Sequence, residues 1–546
     1  MAAPLMVSAL LSAFVPGAAS AAEGPAAQWI VMLKDSAGDV RTVAAEHARP
    51  HHATVGRVYD VAAAGRTLKA YTIRATAAQA AALRANRLVS AVVRDGIVHA
   101  PERAGRVAVL PPLKPGGGTG AQRPSPGNGK EHVLPGKDRV PYAGVPGACV
   151  PNDPYYTPEL QWGLFAVKAP TCGARNDVAV AVLDTGIDTR HEDLAGVVAG
   201  AVNFSGSPTV DDHYGHGTHL AGIIGAVTDN GIGVASEAMG TRLWNVKVLD
   251  DDGTGSVSQV AEGLLWVAAN AATHNIGVVN MSLTSADDSP LLHAAVEIAA
   301  ASGVTLVGAA GNDGTTAREY PSGYPEVISV AATGPDNSLA YFSNRGDSVD
   351  IAAPGVDIVS TYPHNAYQAL SGTSMATGFV SATAALCRST GVCTDAPGQT
   401  LARLGACSQP IPATGRGVRY GLVRTDRAGL DCGAGSAAAP RVPSGTAAQR
   451  PAGPQQGTNG TTGQNGRKDQ DGQNGQNVTD GPGGGDGRGG RDGENTATAP
   501  MDTFTAVRPG RSGDADDGTD PVGEFVAALV EDTVRDLGPW LGGPGC

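Results

Sequence analysis

Aromatic residues make up only 4% of the 546-residue chain. That scarcity argues against the rows of stacking side chains on which single-stranded nucleic acid binds. Positive charge is also short: 39 Lys and Arg stand against 52 Asp and Glu, a net of −13. Nucleic-acid affinity comes largely from neutralising phosphates, so no nucleic-acid partner is expected. No uninterrupted apolar run of about 18 residues follows the N-terminal segment, so no transmembrane helix is predicted. No Cys-x-x-Cys pair occurs, which argues against a zinc ribbon or a thioredoxin-type centre. Glycine and proline, by contrast, number 76 and 37, about a fifth of the chain, against roughly 12% in average proteins. Part of the chain is therefore expected to be linker. Its 41% hydrophobic content still supplies one sizeable core.

The first 21 residues read as a signal peptide. Leu5 to Val15 is mostly apolar and Ala19-Ser20-Ala21 offers small residues at the cleavage positions, although no Lys or Arg precedes the run. A secreted or extracellular location follows. Such a compartment would pair the six cysteines between 149 and 432. Six cysteines allow 15 connectivities; pairing of neighbours, as Cys149–Cys172, Cys387–Cys393 and Cys407–Cys432, is one of them. Cys546 is left over, as a free thiol or a link to another chain.

Composition divides the rest. Residues 27–100 suggest a small α+β unit, with a strand at Trp29–Leu33, a helix at Ala77–Asn86, and strands on either side of Asp95-Gly96. Residues 101–148 are Pro- and Gly-rich and read as linker. Residues 433–520 are Gly, Asn, Gln and Asp with few apolar residues, the composition of a disordered tail. The tail is acidic, which argues against adhesion to anionic lipid. Residues 521–541 carry apolar side chains at helical spacing between Asp520-Pro521 and Gly538-Pro539, a short amphipathic helix.

Residues 149–432 alternate two patterns. Continuous apolar runs at Val178–Leu183, Leu243–Leu249, Ile276–Leu283, Val304–Ala310 and Val327–Ala332 suit strands buried on both faces. Helical patterns lie at Val257–Ala272, Leu291–Ala301 and Ser374–Cys387. The fold class is therefore α/β, a parallel sheet with helices on both faces. Ligand sites in such sheets gather beyond the carboxyl ends of the strands.

Four residues sit where such a site would form. Asp184 follows the first apolar run in VLDTGID. His216 opens a helical pattern in GHGTHLAGIIGA. Asn312 follows the fourth run in AAGNDG, and Ser374 begins a helix in LSGTSMATGFVSA. Singly, each has an ordinary explanation as a turn or capping residue. Together they are the parts of nucleophilic catalysis. A serine hydroxyl needs a base to accept its proton, histidine can accept and return it, and a carboxylate fixes the imidazole tautomer. An amide and a backbone N–H can stabilise an oxyanion.

VLDTGID, HGTHLAG, AAGNDG and SGTSMA, in that order, resemble the signatures of subtilisin-like serine proteases, in which Asp, His and Ser follow each other along the chain. The resemblance spans roughly 150–430. It implies a secreted endopeptidase that hydrolyses peptide bonds through an acyl-enzyme, with Asp184, His216 and Ser374 as triad. The Asn312 amide and the Ser374 backbone N–H would form the oxyanion hole. Polypeptide substrate would extend along Ser282-Leu283-Thr284, with Ala310 and Gly311 in the opposite wall. Residues 27–100 resemble the family's inhibitory propeptide, so the enzyme would be a self-processing zymogen inhibited by its own N-terminal domain. No cofactor is required for the chemistry. Structural calcium is suggested by Asp193 in HEDL and the Thr228–Gly231 loop, with an ordinary polar loop as the alternative. His219 has no catalytic counterpart. The chain departs from the family at Thr284-Ser285, usually two glycines, at Gly378, usually proline, and at Ala382, usually glycine. A catalytically silent binding protein on the same fold, or a relative using Glu as base, are the competing readings.

Overall fold

The computed structural model describes residues 25–63, 65–100, 150–169, 176–394, 398–429 and 432, with the backbone of 109–110. The signal segment, most of the linker, Cys149 with Cys172, the 433–520 tail, the 521–541 helix and Cys546 lie outside the described residues.

The N-terminal unit runs β1 (Ala27–Leu33), α1 (Val40–Ala48), β2 (Thr54–Ala63), β3 (Arg66–Ala75), α2 (Ala77–Arg84), β4 (Val89–Arg94) and β5 (Ile97–His99). Four of these strands form an antiparallel sheet in the order β2-β3-β1-β4. Helix α2 starts where expected because Thr76 and Gln79 form a capping box. Strand alternation gives the sheet two apolar faces. Trp29, Val31 and Leu33 pack with α1 and α2. Ile30, Tyr59, Val61, Leu68 and Ala70 instead join a core of the following unit.

That unit continues with β6 (Val109–Leu110), α3 (Trp162–Val167), β7 (Ala179–Asp184), β8 (Val198–Asn203), α4 (His216–Gly225), β9 (Leu243–Lys247), β10 (Thr254–Ser256), α5 (Val257–His274), β11 (Ile276–Met281) and α6 (Pro290–Ala301). After these come β12 (Thr305–Ala309), β13 (Val327–Thr333), β14 (Ile351–Pro354), β15 (Ile358–Tyr362), β16 (Ala366–Leu370), α7 (Thr373–Ser389) and α8 (Gln399–Cys407). Seven strands form a parallel sheet in the order β14-β13-β12-β11-β7-β9-β8. The five apolar runs are its five inner strands. Val180 and Val182 of β7 face a core with α4 and α7, while Ala179, Ala181 and Leu183 face a second core with α5 and α6. Burial on both faces is why β7 reads as an unbroken apolar run. The chain turns outward in opposite directions from β7, so its carboxyl end lies at a topological switch point.

The strands around Asp95-Gly96 exist but do not pair with each other. β5 leaves the small sheet and pairs antiparallel with β10, and Asp95 serves a distant helix. Its carboxylate accepts the N–H (2.9 Å) and hydroxyl (2.7 Å) of Ser258 in the first turn of α5, where the helix dipole favours negative charge. Two disulfides close the C-terminal region, Cys387–Cys393 and Cys407–Cys432.

Glu237 ties the C-terminal segment to α7. It is fully buried, and its Oε1 accepts the hydroxyls of Thr383 and Thr425, each at 2.5 Å. Burial pushes its carboxyl up to about 8, against the opposing pull of the two hydroxyls. A pKa raised by folding contributes stability that is complete below the unfolded value of roughly 4.3 and lost as pH rises to the folded value. Denaturant unfolding should therefore show the native chain losing stability relative to Glu237→Gln between about pH 4 and pH 8, on the order of a few kcal/mol. A difference independent of pH would contradict this.

Candidate active site

Asp184 is the last residue of β7 and His216 the first of α4. Both side chains are fully buried, and His216 Nδ1 donates to Asp184 Oδ1 at 2.8 Å. The same oxygen accepts the Thr185 N–H at 2.8 Å. A carboxylate on Nδ1 fixes the tautomer, so that Nε2 is the ring's proton acceptor.

Two glycines make this approach possible. Gly215, before the helix, takes φ +106°, in the left-handed region open to glycine. At Gly217 a Cβ would lie 2.1 Å from the Gly186 carbonyl oxygen and 3.2 Å from Asp184 Cβ.

The structure adds a residue that sequence reasoning missed. Asp212 is buried, and its Oδ1 accepts the N–H groups of Gly215 (2.7 Å) and Tyr214 (3.1 Å) and the Thr185 hydroxyl (2.9 Å). Its Oδ2 accepts the N–H (2.8 Å) and hydroxyl (2.7 Å) of Thr218. Thr185 Oγ1 in turn accepts the Gly217 N–H at 3.0 Å. Asp212 therefore fastens the strand end that carries Asp184 to the turn that carries His216. Lys247, paired in register with Asp184, is also buried; its ammonium donates to the Thr185 carbonyl and, at 2.9 Å, to Asp251. The sequence signals for both were weak, an acid four residues before the histidine and a lysine ending an apolar run.

Ser374 stands in the first turn of α7, which packs against α4. Its hydroxyl is buried and bonded to no described atom, so no hydrogen bond joins it to His216 in this structure. Hydrogen bonds of this kind are often long before substrate arrives. Its backbone is held: Ser374 O accepts the Ser282 hydroxyl at 2.9 Å, Ser282 Oγ accepts Asn280 Nδ2 at 3.0 Å, and Asn280 Oδ1 accepts the Ser381 hydroxyl at 2.9 Å. This chain of bonds locks α7 to β11.

Asn312 lies beyond β12, and its Oδ1 accepts both the N–H and the hydroxyl of Thr373 at 2.9 Å. A backbone N–H can only donate, so the amide orientation is fixed with its NH₂ end away from Thr373. Gly311 takes φ +105°, and a Cβ there would lie 2.4 Å from Asn344 Nδ2. Asn344 holds this wall by donating to Ala310 O and accepting the Asp313 and Thr315 N–H groups.

The Ser282–Thr284 segment follows β11. Thr284 exchanges two backbone hydrogen bonds with His99, at 2.9 and 3.0 Å, and Ala100 N donates to Gly253 O at 3.0 Å. β5 thus lies between β10 and Thr284, along the segment expected to receive an extended peptide.

His219 is away from this chemistry. Its Nε2 is shared between the carbonyls of Ile358 (2.9 Å) and Gln368 (3.0 Å), and burial lowers its pKa to about 3. Asp193 does meet the 228–231 loop. Its oxygens accept Asn230 Nδ2 (2.9 Å) and Val234 N (2.8 Å), while Asn230 Oδ1 accepts Ile232 N at 2.7 Å. Asp153 accepts the Asp229 and Asn230 N–H groups of the same loop.

Residues 175–395 match the model of the subtilase family. Subtilisin BL of Lederbergia lenta is 45% identical over 231 residues, 42% of this chain and 83% of that protein. Thermitase of Thermoactinomyces vulgaris is 40% identical over 245 residues, 44% of this chain and 86% of that protein. Alkaline elastase YaB of Bacillus sp. (strain YaB) is 44% identical over 231 residues, 42% of this chain and 59% of that protein.

A methyl group at 217 must displace the Gly186 carbonyl and, with it, the end of β7. Gly217→Ala should cost about 1–3 kcal/mol in denaturant unfolding and should weaken the downfield proton resonance of His216 Nδ1. Retention of both the stability and the resonance would show that the close approach is not needed.

Proposed function

The chain belongs to the subtilase family and is a subtilisin-like serine endopeptidase; from that premise we propose that Asp184, His216 and Ser374 are its catalytic triad. The observation that carries the assignment is the buried Asp184–His216 pair, which presents Nε2 as a base while α7 supplies the serine. In the first step Nε2 takes the Ser374 proton as Oγ attacks the scissile carbonyl. Asp184 stabilises the resulting imidazolium. The oxyanion is met by the Asn312 NH₂ group and the Ser374 backbone N–H, in a site where preorganised donors need no rearrangement. His216 then returns the proton to the leaving amine, and water hydrolyses the acyl-enzyme by the same route. Catalysis in this family requires no cofactor.

We further infer that the protein is a secreted zymogen. Residues 97–100 run along Thr284 as a strand added by backbone hydrogen bonds, a common mode of peptide recognition. The remainder of the N-terminal unit is anchored on α5 and α6 by the shared core and by the Arg57–Glu262 ion pair. A unit whose strand occupies the Thr284 segment, along which a peptide would extend, is an inhibitor as long as it stays docked. The N-terminal apolar segment and the two disulfides support export to an oxidising compartment. The Asp193 loop does not fit calcium in this arrangement. Its carboxylates face N–H donors and Asn230 offers nitrogen rather than oxygen, whereas calcium takes six to eight oxygens. No step is therefore assigned to an ion.

Replacing Ser374 with Ala should lower kcat for peptide hydrolysis roughly a million-fold and leave residues 27–100 covalently attached, read by intact mass. A variant that still cleaves peptide and still loses its N-terminal unit would refute both the nucleophile and the self-processing.

A further inference from the structure

Between α6 and the start of β13, three metal-ligating side chains converge. His293 and Glu297 are one turn apart on α6, and Glu326 immediately precedes β13. One ligand atom from each lies within 4.8 Å of the others. His293 Nε2 and Glu326 Oε2 face each other at 3.4 Å. Both atoms are shielded from solvent, and they form an ion pair with each other when the imidazole is protonated. A divalent cation can take the place of the proton in such a pair, since metal binding to imidazole and carboxylate releases protons. Ligand atoms about 2.0–2.2 Å from a tetrahedral metal stand roughly 3.3–3.6 Å apart. The imidazole is also held in place, stacked on Tyr324 with ring centroids 4.3 Å apart and planes at 3°.

The third ligand already meets a cation. Glu297 Oε2 pairs at 2.8 Å with Arg66 Nη1, at the β2–β3 hairpin of the N-terminal unit. Neutral imidazole and two carboxylates carry −2, of which one guanidinium balances half. A mixed nitrogen and oxygen donor set favours zinc over calcium.

We propose that His293, Glu297 and Glu326 form a site for a zinc-class divalent cation, and that Arg66 competes with the metal for Glu297 while the N-terminal unit is docked. Zinc and the docked unit then oppose each other, because two ligands that exclude one another weaken each other's binding reciprocally. The site does not depend on the catalytic assignment, and its test reads binding rather than hydrolysis.

The test is calorimetric titration of Zn²⁺ into the full chain carrying Ser374→Ala, in metal-free buffer. Should Ser374 prove not to be the nucleophile, the titration reads the same site. Arg66→Ala should tighten one equivalent of zinc about tenfold. His293→Ala and Glu326→Gln should each weaken it more than tenfold, with circular dichroism establishing that both variants are folded. Titrated Ca²⁺ should not distinguish His293→Ala from its parent. Zinc isotherms unchanged by both His293→Ala and Glu326→Gln would overturn the site. An isotherm unchanged by Arg66→Ala would overturn the competition.

Discussion

A buried carboxylate must be met by donors, and at the carboxyl end of β7 that requirement organises the whole site. Asp184 has left water entirely, and the partners that replace water are the His216 ring and the next backbone N–H. Neither is in place unless the turn before α4 approaches the strand closely, and that approach is enforced by Asp212, which collects five donors from both segments. Isolated charges buried without such partners cost several kcal/mol. The two aspartates are therefore interdependent: Asp212 shapes the turn that brings the imidazole, and the imidazole meets Asp184 Oδ1, while Oδ2 is buried with no partner among the described residues. The parallel sheet supplies the rigid frame, since a strand packed on both faces cannot slide to relieve a poor contact.

The same sheet explains how one unit can both dock on and cover another. Helices α5 and α6 bury their inner stripes against the sheet and offer apolar surface on the outer side to Ile30, Tyr59, Leu68 and Ala70. Docking there aligns β5 with β10 without requiring β5 itself to bind tightly. The polar contacts sit at the margins: Asp95 at the start of α5, Arg57 with Glu262 along it, and Arg66 with Glu297 on α6. Partly exposed ion pairs of this kind add little affinity but fix register. Removing the unit would uncover apolar helix surface and two acidic side chains together.

Much of this was legible in the chain because the strongest signals are physical ones. Five apolar runs correspond to inner strands since burial on both faces removes any alternation. The junction residues Asp184, His216, Asn312 and Ser374 stand at strand or helix ends for the reason that any site on such a sheet does. Less visible were elements whose partners are remote or whose surfaces are wet. β8 is an edge strand that is only half-buried and contains Gly200, pressed against the Trp244 ring, where a Cβ would lie 2.3 Å away. The hairpin β15–β16 lies outside the main sheet. The pairing of β5 with β10 joins residues over 150 positions apart, and no local pattern encodes that. Asp212 was missed because an acid in a polar loop looks like solvent-facing charge until its donors are seen.

Two of the departures from the family pattern, at Thr284-Ser285 and at Gly378, are matters of backbone and packing; nothing in the structure explains Ala382. Thr284 keeps both of its main-chain groups in the strand with His99, and a β-branched residue favours that extended conformation. Ser285 pairs by backbone with Tyr320 on the other side. Side chains at 284 and 285 are therefore compatible with backbone pairing on both sides of this segment. Gly378 answers a different constraint. A Cβ there would lie 3.2 Å from the Ile223 Cγ2 methyl of α4, a close contact that a shift of a few tenths of an ångström would relieve. Helices α4 and α7 carry His216 and Ser374. A larger residue at 378 would gain helix propensity, up to about 1 kcal/mol, but would press on Ile223.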